Sequence, residues 1–249
     1  MRFYDDFIGS DEYETTVNFI GGDADHIFYK NKKKQPKNWY YRNKVITYSF
    51  NRWGHRSKNI EDINLDNYIL FTGCSHTQGT GLEEDKTYAA QLSNRLNCDY
   101  YNLAIPATGI DVVEYNLLLW LAKIPKRPKL IIIQWPDHSR FTSYNETFLH
   151  LLERGTWNSE PEYKKFVASA EISGLYYARK YMAFNLIKNV LNVPYLTVNV
   201  NNQSHYDLEN LCLKTIDLAR DLSHSGILSH TAFTDILYQR IARDKYVNV

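Results

Sequence analysis

A serine and an aspartate–histidine pair, far apart in the sequence, provide the residue types that acyl transfer requires. The stretch YILFTGCSHTQGTG, residues 68 to 81, places Ser75 shortly after an apolar run. Near the C-terminus, ARDLSHSGILSH contains Asp221 and His224, which one short turn can present together. A serine hydroxyl is a weak nucleophile unless a neighbouring base takes its proton, and a carboxylate orients that base. These three residues therefore predict a catalytic triad.

The glycines of the same loop fit phosphate-binding chemistry poorly. A P-loop requires a lysine directly after its last glycine, and no lysine follows Gly79. The spacing of Gly73, Gly79 and Gly81 also differs from the dinucleotide fingerprint G-x-G-x-x-G. A nucleotide-binding flavodoxin-like protein is therefore disfavoured.

The remaining thiol and imidazole groups near these motifs are expected to be structural. Free cysteine is commonly a small core residue, so Cys74 is predicted to be buried and unreactive. His76 is predicted to be a solvated turn residue, with contact to a substrate left open. His230 falls in the first turn of a predicted helix, where a positive charge is disfavoured, and is predicted to be structural.

Composition excludes several classes of protein. The 249 residues include 29 basic and 28 acidic side chains, so no strong field favours nucleic acid or membrane binding. Three widely separated cysteines argue against a disulfide framework or a zinc site and fit a reducing compartment. The N-terminal residues lack the apolar region of a signal peptide, and no apolar run approaches the ~20 residues of a membrane helix. We expect a cytoplasmic or virion-associated protein.

From residue 68 onwards, apolar runs alternate with helical patterns. Runs typical of buried parallel strands occupy residues 68–71, 100–105, 129–135 and 194–200. Helical patterns occupy residues 87–96, 111–122, 162–191, 207–220 and 229–243, the last with Ser229 as N-cap. This alternation predicts a three-layer α/β/α fold with a flavodoxin-like parallel sheet of about five strands. Ser75 then follows the first strand, at the edge of the sheet where such folds bind ligands.

The first 60 residues have a different pattern. Residues 28–50 contain extended aromatic segments around the basic run KNKKKQPK, which is predicted to be the solvated tip of a β-hairpin. We expect a β-rich extension over residues 1–60 and a catalytic domain over residues 61–249.

The sequence resembles the SGNH, or GDSL-like, hydrolases over roughly residues 45 to 243. Their G-D-S block is similar to Gly73-Cys74-Ser75, with Gly79 in the following turn, and their D-x-x-H block is matched by Asp221 and His224. NLAIPATG resembles the N-x-x-x-x-G block, with Asn102 matching and Ala107 at the glycine position. FNRWGHR, residues 50–56, resembles an upstream N-x-x-G-x-R stretch.

Two departures affect the chemistry that this resemblance implies. Cys74 replaces the aspartate of G-D-S, and Pro136 stands where the oxyanion-hole asparagine is expected, beside Asp137. The oxyanion is then predicted to bind the backbone N–H groups of Ser75 and of Ala107 to Gly109. The side chains predicted as replacement donors are Gln134, His138 and Ser139, while Arg140 is an alternative contact for an anionic substrate group.

The resemblance implies a serine ester hydrolase that acts through an acyl-enzyme, with a carbohydrate O-acetyl ester as the expected substrate. Ser75 is the expected nucleophile, His224 the base and Asp221 its orienting carboxylate. No metal or organic cofactor is expected. The alternative is a catalytically degenerate binding or virion-assembly module with the same fold, and self-association or docking on virion proteins stays open.

Overall fold

The computed structural model describes residues 1–137, 140–144, 151–154, 193–200 and 211–246, together with single helical positions at 161, 165, 174, 178, 182 and 185. The helix predicted over residues 162–191 falls almost entirely outside this part, as do His138 and Ser139. Within it, no helix is both long enough and apolar enough to cross a membrane.

The described elements are eleven short strands, five α-helices and three short 3-10 helices, at Tyr40–Asn43, Ile60–Asp62 and Glu84–Lys86. The strands are β1 (Arg2–Tyr4), β2 (Phe7–Gly9), β3 (Thr15–Val17), β4 (Tyr48–Phe50), β5 (Tyr68–Thr72), β6 (Asp99–Asn102), β7 (Leu130–Gln134), β8 (Phe141–Tyr144), β9 (Leu151–Arg154), β10 (Tyr195–Val200) and β11 (Cys212–Leu213). The helices are α1 (Asp25–Lys34), α2 (Ser75–Gln78), α3 (Tyr88–Arg95), α4 (Ile110–Lys123) and α5 (Ile227–Asp244).

A five-stranded parallel sheet forms the centre of the fold. Its strand order is β11-β10-β7-β5-β6, and every neighbouring pair is parallel. Counted along the chain within this sheet, the order is 2-1-3-4-5, which is the flavodoxin-like arrangement. The order reverses beside β5, so the switch point where such sheets bind ligands lies at the end of the strand that precedes Ser75.

Helices cover both faces of this sheet, as predicted. Side chains of β5 alternate: Leu70 contributes to the core beneath α4, while Ile69 and Phe71 contribute to the core beneath α3 and α5. All five residues of β5 and of β7 are buried, which explains their unbroken apolar sequence. The predicted α/β/α fold with about five strands is therefore confirmed.

The β-hairpin predicted within residues 28–50 is wrong. The basic run lies instead in the last turn of α1, where Lys32, Lys33 and Lys34 complement the helix dipole and Asp25 does so in the first turn. Phe28 and Asn31, one turn apart, face the protein interior. Elsewhere the N-terminal segment does contain paired strands, with β1 antiparallel to β2 and β3 antiparallel to β4. Its division from the rest as a separate domain remains a prediction.

Two predictions near the C-terminus are also corrected. Residues 211–220 do not continue a helix; they form β11 and a loop, because Leu213 pairs with Val200 at the edge of the sheet. The last helix starts at Ile227 with Gly226 as its N-cap, not at Ser229. The Asp217 carboxylate accepts hydrogen bonds from the first-turn N–H groups of Leu228 and Ser229, so a distant side chain replaces a local cap.

Candidate active site

Ser75, His224 and Asp221 form a continuous hydrogen-bonded chain. Nε2 of His224 lies 2.8 Å from Oγ of Ser75, and its Nδ1 lies 2.5 Å from Oδ2 of Asp221. The Asp221 side chain is 1% exposed and the His224 side chain 18% exposed. A carboxylate accepts the Nδ1 proton, which leaves Nε2 free to accept a proton from the serine. The structure thus brings together the three residues that were predicted to meet.

A tight turn presents Asp221 and His224 from one segment. Oδ1 of Asp221 accepts the backbone N–H groups of Ser223 and His224, both at 3.1 Å. The turn is completed where the N–H of Ala219 donates to the carbonyl of His224 at 2.9 Å. One carboxylate oxygen therefore shapes the turn, while the other holds the imidazole.

This turn lies directly against the loop that follows β5. The N–H of Arg220 donates to the carbonyl of Gly81 at 3.1 Å. Gly81 has φ 81°, and a Cβ there would lie 2.8 Å from Cβ of Ala219 and 3.2 Å from Oδ1 of Asp221. Only glycine permits both the left-handed backbone and this close approach. Gly81 therefore allows the nucleophile loop to pack closely against the turn that carries Asp221 and His224, and no phosphate is needed to explain it.

Gln134 supports the nucleophile loop from below and does not serve as the predicted oxyanion donor. Its Oε1 accepts the N–H of Cys74 at 3.0 Å and the hydroxyl of Thr77 at 3.2 Å. A backbone N–H must meet an acceptor, which fixes the orientation of the amide and turns Nε2 toward the carbonyl of Trp135, 2.6 Å away. The alternation of side chains along β7 correctly predicted that Gln134 faces the nucleophile loop. Because Gln134 is the last residue of the strand, it contacts the loop from beneath.

The upstream N-x-x-G-x-R stretch holds the same loop from the other side. The buried guanidinium of Arg56 donates to the carbonyls of Gln78, Gly79 and Leu82, at distances between 2.8 and 3.2 Å. Burial lowers the pKa of Arg56 from its usual range. These carbonyls accept from its two terminal nitrogens, while its Nε has no partner among the described residues. Asn51 accepts the N–H of His55 and so shapes the turn that delivers Arg56.

At the glycine position of the second family block, the backbone of this chain has a conformation that is typical of glycine. Ala107 has φ 62°, in the left-handed region that side-chain-bearing residues seldom adopt. Asn102 ties the preceding strand to the nucleophile helix, because its Nδ2 donates to the carbonyl of Thr77 at 3.0 Å. Thr108 is buried and donates to the carbonyl of Ile105. Gly109 is the N-cap of α4.

His76 differs from its predicted role. Its ring centroid lies 4.9 Å from that of His224, and its Nδ1 is buried with no hydrogen-bond partner among the described residues. Burial, reinforced by His224, lowers the pKa of His76 well below its usual value, so this imidazole is neutral. His76 therefore lies beside the candidate base, on α2 and not in a turn, and is only partly exposed.

The other two predictions for neighbouring groups agree with the structure. Nδ1 of His230 accepts the N–H of Tyr88, and burial lowers the pKa of His230 to about 3. Cys74 is 2% exposed, with its Sγ 3.1 Å from Oε1 of Gln134. His230 is thus structural and Cys74 is buried, while the low reactivity of its thiol remains a prediction.

Sequence reasoning missed the residues that join the N-terminal segment to this site. Asp23 forms a buried ion pair with Arg220, next to Asp221. Gly22 lies beside the base, since a Cβ there would be 3.7 Å from Cε1 of His224. The only sequence signal was the position of Arg220, directly before the D-x-x-H motif, and no local pattern connected it to Asp23.

The chain has only distant likenesses among known proteins. No family model and no curated protein matches the chain. Among solved structures, a carbohydrate esterase is 15% identical with a TM-score of 0.45, covering 72% of this chain and 65% of that one. A family 2 carbohydrate esterase from Corynascus thermopiles (Myceliophthora fergusii) is 14% identical with a TM-score of 0.45, covering 71% and 66%. A lipolytic G-D-S-L protein from Veillonella parvula is 14% identical with a TM-score of 0.33, covering 72% and 74%.

The fold class rests on the sheet order and helical layers described above. That fold class is the one implied by the SGNH/GDSL resemblance. The chain covers less than two thirds of the length of the two carbohydrate esterases. None of these structures bears on the virion-assembly alternative.

Proposed function

We propose that the protein is a serine ester hydrolase that acts through a covalent acyl-enzyme. The observation that carries this proposal is the chain from Ser75 Oγ to His224 Nε2, at 2.8 Å, and from His224 Nδ1 to Asp221 Oδ2, at 2.5 Å. Nucleophile, base and orienting carboxylate within hydrogen-bonding reach of one another define this class of chemistry. Their location at the switch point of a parallel sheet supports the same assignment.

The reaction proceeds in two halves. Oγ of Ser75 attacks the ester carbonyl carbon while Nε2 of His224 takes the hydroxyl proton, and the Asp221 carboxylate stabilises the imidazolium. The imidazolium then gives its proton to the departing alcohol oxygen, leaving the acyl group on Ser75. In the second half, His224 takes a proton from water, whose oxygen attacks the acyl carbon and releases the acid and free Ser75.

Backbone N–H groups supply the oxyanion hole in this proposal. In the described part of the chain, no acceptor is bonded to the N–H groups of Ser75, Ala107, Thr108 or Gly109. Ala107 has the left-handed backbone found in nests, in which successive N–H groups converge on an anion. Pro136 has no N–H and Gln134 is engaged elsewhere, so a hole of this kind lacks the asparagine donor of the family pattern. One such donor is typically worth ~10²–10³ in kcat, and we expect a modest rate.

The proposed substrate is a small acyl group, such as acetyl, on a carbohydrate hydroxyl. Ser75 is 5% exposed and lies among polar groups, which favours a compact acyl chain over a long lipid chain. The chemistry proposed needs no metal or organic cofactor, because the base and the backbone donors belong to the chain itself. Self-association, virion partners and the compartment remain predictions.

Hydrolysis of p-nitrophenyl acetate by purified protein tests this proposal. We expect turnover that Ser75→Ala abolishes, together with labelling by a fluorophosphonate probe that increases the protein mass at Ser75 only. Thr16→Ala, which removes an exposed hydroxyl bonded to Ser49, serves as the matched control and should retain both properties. Turnover that survives Ser75→Ala would overturn the serine mechanism. Absence of turnover and labelling in the wild type would instead favour the binding-module alternative.

A further inference from the structure

A cavity of about 290 Å³ lies between the N-terminal segment and the proposed active site. Its walls come from both parts of the chain, and include Gly21 and Gly22, Phe50, Gln78 and Ala107. The volume is at the low end of the range for small-molecule pockets, roughly 300–1,000 Å³, and suits a single compact group. Because Ala107 belongs to the proposed oxyanion segment, the cavity adjoins the reacting carbonyl.

The side chain of Gln78 lines this cavity, and its amide nitrogen has no hydrogen-bond partner among the described residues. The residue is 2% exposed, and its backbone N–H and C=O are bonded to Cys74 and Arg56. Its Oε1 is bonded to the hydroxyl of Thr80 at 3.1 Å. Among the described residues, no acceptor lies within hydrogen-bonding distance of its Nε2. This nitrogen is not sealed from solvent, so it can donate a hydrogen bond to a group that enters the cavity.

One residue of the cavity wall, Gly22, lies close to the general base. A Cβ on Gly22 would be 3.7 Å from Cε1 of His224. Gln78 stands one helical turn after Ser75 on α2. The departing oxygen of an ester must lie next to His224, because His224 returns the proton to it. A group attached to that oxygen can therefore extend past Gly22 into the cavity that Gly22 lines.

The charge and hydrogen-bonding groups of the residues that line the cavity favour one kind of alcohol over others. Asp11 and Glu12 line the cavity, and since Asp11 pairs with the amino group of Met1, Glu12 supplies the unbalanced negative charge. A carboxylate accepts hydrogen bonds from hydroxyl groups and the Gln78 amide nitrogen donates to their oxygens, whereas the carboxylate repels an anion. Phe50 and Ile20 add an apolar wall. A neutral ring with several hydroxyl groups and one apolar face fits these walls best.

We propose that this cavity is the subsite for the alcohol half of the ester, that it takes a neutral polyhydroxylated ring, and that Gln78 determines this specificity. The inference rests on the proposed function and adds the place where the alcohol binds and the residue that selects it. It assigns a role to the N-terminal segment, which contributes one wall of the subsite. Gln78 acts by binding the alcohol and takes no part in the proton transfers.

A pair of esters with the same acyl group tests the subsite. We compare methyl 6-O-acetylglucoside with phenyl acetate, whose alcohol has no further polar group, and measure the ratio of their kcat/KM values. Gln78→Met should lower this ratio about tenfold through the KM of the sugar ester, as expected for one lost hydrogen bond in a buried site. Gly21→Leu should lower it too, because nothing lies within 4 Å of a Cβ at Gly21 and a side chain there can occupy the cavity.

Thr80→Val is the matched control. It removes the same internal hydrogen bond to Gln78 but leaves the amide in the cavity, so it should keep the wild-type ratio. Equal losses for both esters in Gln78→Met, or the same fall of the ratio in Thr80→Val, would overturn the proposal.

Direct binding separates this proposal from the esterase assignment. Methyl β-glucoside is titrated into Ser75→Ala protein while the side-chain amide signals are followed by NMR. Saturable shifts that disappear in the Ser75→Ala, Gln78→Met double variant support the subsite even if no ester is hydrolysed. Absence of saturable binding refutes the subsite while leaving the esterase assays untouched.

Discussion

The guanidinium of Arg220 and the carboxylate of Asp23 form a buried ion pair across 197 residues of sequence. Their closest atoms, Nη2 and Oδ2, are 2.7 Å apart, and the side chains are 1% and 0% exposed. Tyr48 donates a further hydrogen bond to the same carboxylate at 2.5 Å. Burial raises the pKa of Asp23, and the bonds from Arg220 and Tyr48 partly offset this effect. Since Arg220 precedes Asp221, the pair anchors the N-terminal segment beside the candidate triad.

Asp23→Asn should therefore weaken both the fold and the site. Removing one partner leaves the Arg220 charge buried and unpaired, which typically costs about 3–5 kcal/mol. We expect a loss of this size in urea unfolding and a lower kcat for ester hydrolysis. Lys58→Ala is the control, because Lys58 and Asp99 form a surface pair at 3.5 Å with exposures of 60% and 33%. Such pairs contribute about 0–1 kcal/mol, so a similar loss in both variants would contradict the anchoring role.

Asp221→Asn should reduce kcat while preserving the turn. The asparagine oxygen can still accept the N–H groups of Ser223 and His224 in place of Oδ1. Its NH₂ group would face Nδ1 of His224 and force the proton onto Nε2, which then cannot accept the proton of Ser75. In a serine triad this change lowers kcat by ~10⁴. Steady-state kinetics with p-nitrophenyl acetate, alongside unchanged circular dichroism, measure the effect. Activity near the wild-type level would exclude Asp221 from the triad.

Ala107→Gly should be tolerated or slightly stabilising, whereas Ala107→Val should be clearly destabilising. The left-handed backbone at φ 62° costs a residue with a Cβ roughly 1–2 kcal/mol, and β-branching adds to this. Glycine removes that strain but loses ~0.5–1 kcal/mol through the flexibility of its unfolded chain. Denaturant unfolding measures both changes. Ala104→Gly, at a position without a positive φ, is the control and should only lose stability. A loss at Ala107→Gly as large as that control would show that the turn is not strained.

Stability should fall as the pH drops below about 6.5, the ordinary pKa of histidine. Burial lowers the folded-state pKa of His55 to about 4, so the unfolded state binds the proton more readily between these values. The stabilising contribution is complete above pH 6.5 and is lost progressively toward pH 4, at up to ~1.4 kcal/mol per pH unit. Burial of His230 acts in the same direction. Urea unfolding between pH 7.5 and pH 4.5 measures the slope.

The variant His55→Gln should reduce that slope by the part that comes from the binding of one proton to His55 on unfolding. The ring nitrogens of His55 are bonded to the hydroxyl of Tyr101 and the carbonyl of Ile8, and an amide can replace both contacts. His26→Gln is the comparison, because the His26 side chain is 78% exposed. An equal slope in wild type and His55→Gln would mean that His55 does not titrate on unfolding.

The sequence by itself determined the sheet and the motifs at its edge. Short apolar runs followed by helical patterns specify buried parallel strands, because only this arrangement buries both faces of each strand. That logic predicted β5 and β7 and located Ser75 at the end of a strand. It also paired Ser75 with Asp221 and His224, through the local motifs alone.

The tertiary structure alone decided what surrounds those motifs. Gln134 accepts from the nucleophile loop because β7 lies beside β5, a neighbour relationship that no local pattern contains. Residues 211–220 are not helical, because the pairing of β11 with β10 overrides their local pattern. Asp23 reaches Arg220 only because α1 packs against the turn before Asp221. Long-range contacts depend on which surfaces meet, and the periodicity of a sequence records only which face of each element is buried.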